Sequence, residues 1–324
     1  MSHNHIYIKS DLYVNTLSFH DRRDSLLAGT ISGDLRIYTL KDSDTEPVLT
    51  WSNHTVHAKS VRKASFCGNG REVVSVSVDK RICLTDVENN SVKWHGKGHK
   101  DAINALCIVD NHTFATGADD GEIRIWDSRA EKSTCRSKVS EFESTIAEIA
   151  VGKSTKELLA TCEDQLGCFD LRNGKVSLQG MSDNVEDELQ CFVCIKTMKK
   201  VVCGSNTGQL CLFSYGHWGD INDRVNVHQK SIESIVPYDD DTVLIGGDDG
   251  NIHVVSILPN EVKGQLKLAS NFKMNIYETG CLCISPSKTY LAFVADFEHI
   301  CITPTSEIVS ILQGEQEDNF FGDL

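Results

Sequence analysis

The chain has 324 residues, 40% of them hydrophobic, with Lys+Arg 32 against Asp+Glu 46 and a formal net charge of -14. That length can bury a sizeable core as one domain without disulfides or metals, and the acidic balance argues against free RNA or DNA as a main ligand, because like charge repels phosphate. The 13 cysteines follow no regular framework, "MSHNHIYIKS" lacks a basic-then-apolar leader, and no apolar run approaches the roughly 18 residues of a membrane span.

These features together set the expectation of a reduced intracellular compartment, no membrane, and cysteines that act as small core residues. In chain order, the first recurring element is "AGTISGDLRIYTL" from residue 28: strand, tight turn, strand. "SVSVDKRICLTDV" follows from 75, then "FATGADDGEIRIWDSR" from 114 and "ATCEDQLGCFDLR" from 160. The last three are "CGSNTGQLCLFSY" from 203, "IGGDDGNIHVVSI" from 245 and "FVADFEHICITPT" from 293. Gly and Asp at the turns supply the positive φ that tight hairpins need. Apolar and polar residues alternate in "IRIW" and "ICLT", the period of packed antiparallel strands.

The first apolar residue after each turn gives a ruler: Leu35, Ile82, Ile123, Leu166, Leu210, Ile252 and Ile300, recurring every 41 to 48 residues. A four-stranded unit at that period is the signature of a WD-repeat propeller blade. Seven copies predict an all-β, seven-bladed WD40 propeller. One domain spans 5–312, followed by a short acidic tail at 313–324. In the third unit "AINALCIV" predicts the inner strand, "TFATGA" the second, "EIRIWDS" the third and "STCRSKV" the outer one. The ring must close, and two segments compete for the last outer strand: "HIYI" (5–8) and "EIVSIL" (307–312). The N-terminal segment is favoured, since it locks both ends of the chain together.

The third unit also carries His99, Thr116, Asp120 and Trp126, spaced as in the buried hydrogen-bond chain of WD blades. Buried polar groups need such partners, and a completed chain fixes blade geometry. His57, Ser75 and Asp79 repeat the pattern in the second unit with Thr85 for Trp, and His228 and Asp249 keep part of it in the sixth. Repetition marks these groups as architecture rather than a catalytic triad. "GKST" (152–155) lacks the earlier P-loop glycine, since position 147 is Ala. "CFVC" (191–194) puts Cys191 and Cys194 on opposite strand faces, and no zinc-finger histidines follow. The Asp runs lie at turns, and no cluster of titratable groups around a central channel is evident in the sequence. The expectation is therefore no catalytic residues, no cofactor and no metal.

"VVCGSNTGQLCLFSYGHWGDINDR", "SIESIVP" and "GGDDGNIHVVSILPNEVKG", with the distinctive "ILPN" phrase, resemble the fifth and sixth blades of the WD-repeat-containing protein 55 family. "GTISGDLRIY", "VSVDKRICLTDVE" and the closing "DNFFGDL" fit the same family. The resemblance implies a nuclear and nucleolar protein, found also in the cytoplasm, that acts without enzymatic activity in ribosomal RNA production and large-subunit maturation. Its implied partners are pre-ribosomal assembly proteins, which it joins as a monomer. One departure is that "SILQGEQEDNFFGDL" is acidic where family members carry a Lys/Arg-rich stretch. In the family that basic stretch is the expected element of nucleolar retention and RNA contact, and this segment does not carry it.

"FATGADDGEIRIWDSR" further resembles the Trp-Asp-x-Arg box of WD-repeat receptors for cullin-4 ubiquitin ligases. What this second likeness implies is a docking set of Trp126, Asp127 and Arg129, with Asp170 and Arg172 from the degraded copy "CFDLR" in the next unit. Trp and Asp are required by the blade itself. Only the Arg is unexplained by fold, with a guanidinium expected to face outward and offer its donors to a partner.

Overall fold

The computed structural model describes residues 5–40, 47–130, 135–172 and 175–314. Seven four-stranded antiparallel sheets are arranged as blades, and in six of them the strands pair in chain order. The inner strands are Val14–Phe19, Val61–Cys67, Ile103–Ile108, Ile146–Val151, Leu189–Ile195, Ile232–Pro237 and Thr279–Ile284. Each carries a register irregularity near its start, where one strand bends to fit the crowded axis.

The seventh blade takes its outer strand from the other end of the chain. Ile6–Lys9 pairs with His299–Pro304, placing Ile6 opposite Ile302 and Ile8 opposite Ile300. N-terminal closure is thus the arrangement found. The competing segment forms a helix, Ser306–Gln313, with Ile308 buried and Gly314 ending it at φ 74°. Glu307 in its first turn accepts hydrogen bonds from the Lys267 N–H at 2.8 Å and from Asn271 Nδ2 at 2.8 Å. These contacts tie the helix to the connection between blades six and seven.

All seven ruler residues are fully buried. They face the interfaces between blades, where each blade buries one apolar face against the next. Glycine on the second strand makes this packing close: a Cβ at Gly117 would sit 2.4 Å from Ile146 Cγ2 of the following blade. The third blade follows its expected strands at Ile103–Ile108, Thr113–Ala118 and Ile123–Asp127. Its outer strand is shorter than expected, Ser137–Val139, and residues 131–134 lie outside the described part. Most of the expected acidic tail, from 315 onward, lies outside it too. All thirteen cysteines are free thiols. Among the described residues no helix is long and apolar enough to cross a membrane.

Candidate partner-docking site and the networks beneath it

In blade three, four elements contribute one polar group each. His99 lies on the connection entering the blade, Thr116 on the second strand, Asp120 in the turn and Trp126 on the third strand. Trp126 Nε1 donates to Thr116 Oγ1 at 2.8 Å, and His99 Nε2 lies 2.7 Å from the same hydroxyl. His99 Nδ1 meets Asp120 at 3.2 Å, and the Asp120 carboxylate also accepts the N–H groups of Lys100 (2.9 Å) and Glu122 (3.1 Å).

One proton arrangement satisfies the whole chain. Burial holds the His99 imidazole below its ordinary range, against the pull of Asp120, so the ring is neutral. Burial alone would raise Asp120, but its hydrogen bonds and His99 bring it below the usual carboxylate range. A neutral His99 donates from Nδ1 to Asp120 and accepts the Thr116 proton at Nε2, while Thr116 accepts from Trp126. The side chain of His99 is 0% exposed and Thr116 is 0% exposed. The groups resemble a hydrolytic triad in kind, yet no substrate reaches them.

Blade two makes the same chain one link shorter. His57 Nδ1 lies 3.0 Å from Asp79 and Nε2 lies 2.9 Å from Ser75 Oγ. Thr85 stands where the Trp would be, and its buried hydroxyl has no hydrogen-bond partner among the described residues. Blade six departs from the expected remnant. Asp249 hydrogen-bonds His253 Nε2 at 2.7 Å rather than His228, and the buried His228 Nε2 has no partner among the described residues. His253 was missed because the repeat pattern assigns no polar role to that position of the third strand.

The Trp-Asp-x-Arg box divides into a buried half and an exposed half. Trp126 is fully buried, so it packs the blade and presents no surface to a partner. Phe169, its counterpart in blade four, is equally buried. Arg129 is 62% exposed, but its guanidinium does not extend outward as expected. Nε and Nη2 fold back onto Asp127 at 2.9 and 2.7 Å, and the Arg129 N–H donates to the same carboxylate at 3.0 Å. The hydrogen bond from Arg129 holds the Asp127 carboxyl down at about 2. Arg172 repeats this geometry on the next blade, with Nε 2.6 Å from Asp170 and a 61% exposed side chain. The sequence pattern placed both arginines. It missed that each aspartate would take part of its arginine's donor capacity.

The central channel corrects another expectation. Inner strands of all seven blades line it, and they gather Lys63, Glu148, Glu233, Cys191 and Cys281 around one cavity. Lys63 Nζ reaches Glu148 Oε2 at 2.8 Å. The attraction of Glu148 raises the Lys63 ammonium, and burial raises both thiols. A paired, protonated lysine and protonated thiols supply no activated nucleophile. Lys63 and Glu148 each lie two residues after the first residue of an inner strand. Aligning the seven units at that position marks both as charged inner-strand residues, but not as partners.

Comparison with known proteins adds the following. The family profile described as WDR55 matches residues 5–300. The chain is 35% identical over 250 residues to WD repeat-containing protein 55 of Mus musculus, covering 76% of this chain and 63% of that protein. It is 34% identical over 252 residues to the Homo sapiens protein of the same name, covering 77% and 64%. The Arabidopsis thaliana protein is 34% identical over 249 residues, covering 76% and 69%. The chain thus spans less than two thirds of the length of these mammalian relatives.

Proposed function

The chain belongs to the WD repeat-containing protein 55 family, and from that premise we propose that it is a non-enzymatic scaffold in ribosomal RNA production and large-subunit maturation. The observation that carries this reading is that the family match runs from residue 5 to residue 300, through all seven blades. A closed ring with buried networks in blades two and three supports it, being a frame whose loops are left to hold partners. Its place of action is the nucleus and nucleolus, with a further cytoplasmic pool. At a net charge of -14 its contact with pre-ribosomes runs through assembly proteins rather than naked RNA.

Rapid depletion of the protein followed by pulse labelling of pre-ribosomal RNA tests this. The expected result is accumulation of large-subunit precursors and a deficit of large over small subunits. Unchanged precursor levels after full depletion would overturn it.

A second reading is supported by the paired Asp127–Arg129 and Asp170–Arg172 units. They stand at equivalent positions on adjacent blades, each arginine more than 60% exposed and held by its aspartate. A preorganised pair of guanidinium groups suits an adaptor of the cullin-4 ligase.

A further inference from the structure

Blade six breaks the hydrogen-bond chain of blades two and three in a particular way. His228 holds the position of His57 and His99, and Asp249 that of Asp79 and Asp120. The hydroxyl of Ser75 and Thr116 is replaced by Ile245. Among the described residues, the buried His228 Nε2 therefore has no hydrogen-bond partner. Beside it, the third strand supplies a second imidazole, His253, with ring centroids 5.2 Å apart and planes tilted by 30°. Asp249 Oδ2 lies 2.7 Å from His253 Nε2. One ligand atom from each of His228, Asp249 and His253 lies within 4.8 Å of the other two.

Two imidazoles and a carboxylate match the donor set of a zinc site, with bonds of roughly 2.0–2.2 Å once the Asp249–His253 hydrogen bond opens and the three ligand atoms close around the ion. Asp249 and His253 Nε2 share a hydrogen-bonded proton, which is released when a metal takes its place. Asn251 donates its N–H at 3.1 Å and Nδ2 at 3.2 Å to that carboxylate, fixing its orientation as partners behind metal ligands do. His228 Nδ1 accepts a long hydrogen bond from the Lys230 N–H, 3.2 Å, which gives way when Nδ1 carries the ring proton. Lys230 Nζ is turned away onto the Asp248 carbonyl at 2.8 Å.

A second group, His99, Asp120 and Glu122, gathers equally closely but differs in its partners. His99 is engaged by Thr116, and Glu122 is held by Arg124 Nε at 2.9 Å and Lys138 Nζ at 2.8 Å. Two cations and a completed network leave no ligand atom there for an ion.

We propose that His228, Asp249 and His253 form a zinc site that ties together the entering connection, the turn and the third strand of blade six, with the remaining coordination position open to water or a partner's side chain. The ion does in blade six what the buried hydroxyl does in blades two and three.

The test uses the untagged protein, stripped with chelator and titrated with zinc against a chromophoric competitor. One zinc per chain is expected, together with a higher melting temperature. His228→Gln and His253→Gln are each expected to weaken binding at least about tenfold, while Glu122→Gln leaves it unchanged. Cobalt in place of zinc should give visible absorption without a thiolate charge-transfer band, and this needs no variant. The proposal is overturned if stripped wild-type protein takes up no zinc, if the double glutamine variant binds as tightly as wild type, or if the cobalt spectrum shows cysteine ligands.

Discussion

Lys63 and Glu148, 85 positions apart in sequence, meet at 2.8 Å inside the central channel. They belong to blades two and four, so the pair spans blade three, whose equivalent residue is the small Ala105. The Lys63 side chain keeps 36% of its surface and Glu148 21%, but that surface faces a channel enclosed by seven inner strands. Removing one partner from a fully buried pair costs roughly 3–5 kcal/mol. Partial exposure reduces this, so Glu148→Gln and Lys63→Met should each cost about 1–3 kcal/mol. The double change Lys63→Met/Glu148→Leu should recover most of the loss, because apolar groups replace both charges. A double-mutant cycle from urea unfolding measures this, and additive losses would show that the two side chains are not coupled.

The blade-three chain gives a second prediction. Asp120→Ala leaves His99 Nδ1 and the Lys100 and Glu122 N–H groups without their acceptor. Unsatisfied buried groups cost about 1–3 kcal/mol. Trp126→Phe removes only the donor to Thr116 and part of the ring packing, so its loss should be the smaller of the two. Denaturant midpoints of the two variants check the order. A fully stable Asp120→Ala protein would remove the chain from the account of blade stability.

Legibility followed repetition. Leu35 through Ile300 could be picked out as core residues because seven copies share one spacing, and a residue facing its neighbour blade must be apolar in each. His99, Thr116, Asp120 and Trp126 were legible for the same reason. Lys63 and Glu148 were not, since their meeting depends on ring closure, which brings two non-adjacent repeats across the axis. His253 was hidden because its partner, Asp249, already had an assigned role with His228. The helix at Ser306–Gln313 was missed because "EIVSIL" is short and β-branched, and its Glu307 contacts on Lys267 and Asn271 are tertiary.

Glu278 carries a pH prediction. Burial, helped by Asp248, Glu233 and Asp296, raises its carboxyl from 4.5 to about 7. A carboxyl raised on folding binds more protons in the folded chain than in the unfolded chain between these values. Its contribution is therefore present at low pH and is lost as pH rises through about 7. Glu278→Gln should raise stability at pH 8 by about 1 kcal/mol, discounted for its partial exposure, and change little at pH 5. The wild type has opposing terms in the same range, since His99 and His228 are lowered from 6.5 and favour the folded chain above that value. The difference between variant and wild type isolates Glu278. An equal effect at both pH values would contradict a raised carboxyl.

Arg129 and Arg172 separate docking from architecture. Each is exposed and paired only with the aspartate two residues earlier among the contacts described, and exposed pairs of this kind contribute little to stability. Arg129→Ala should leave the melting temperature nearly unchanged. Interface arginines, by contrast, often cost about 2 kcal/mol or more when truncated at an anchor position. Co-purification of the cullin-4 adaptor should therefore fall several-fold in Arg129→Ala and further in Arg129→Ala/Arg172→Ala. Asp127→Asn provides the finer test. It keeps the size of the side chain but frees the guanidinium from its 2.7 Å partner. If the held orientation is what the adaptor meets, Asp127→Asn should weaken capture although the arginine is still present. Equal capture by wild type and all three variants, or none by wild type, would leave both aspartate–arginine pairs as caps on the ends of the third strands.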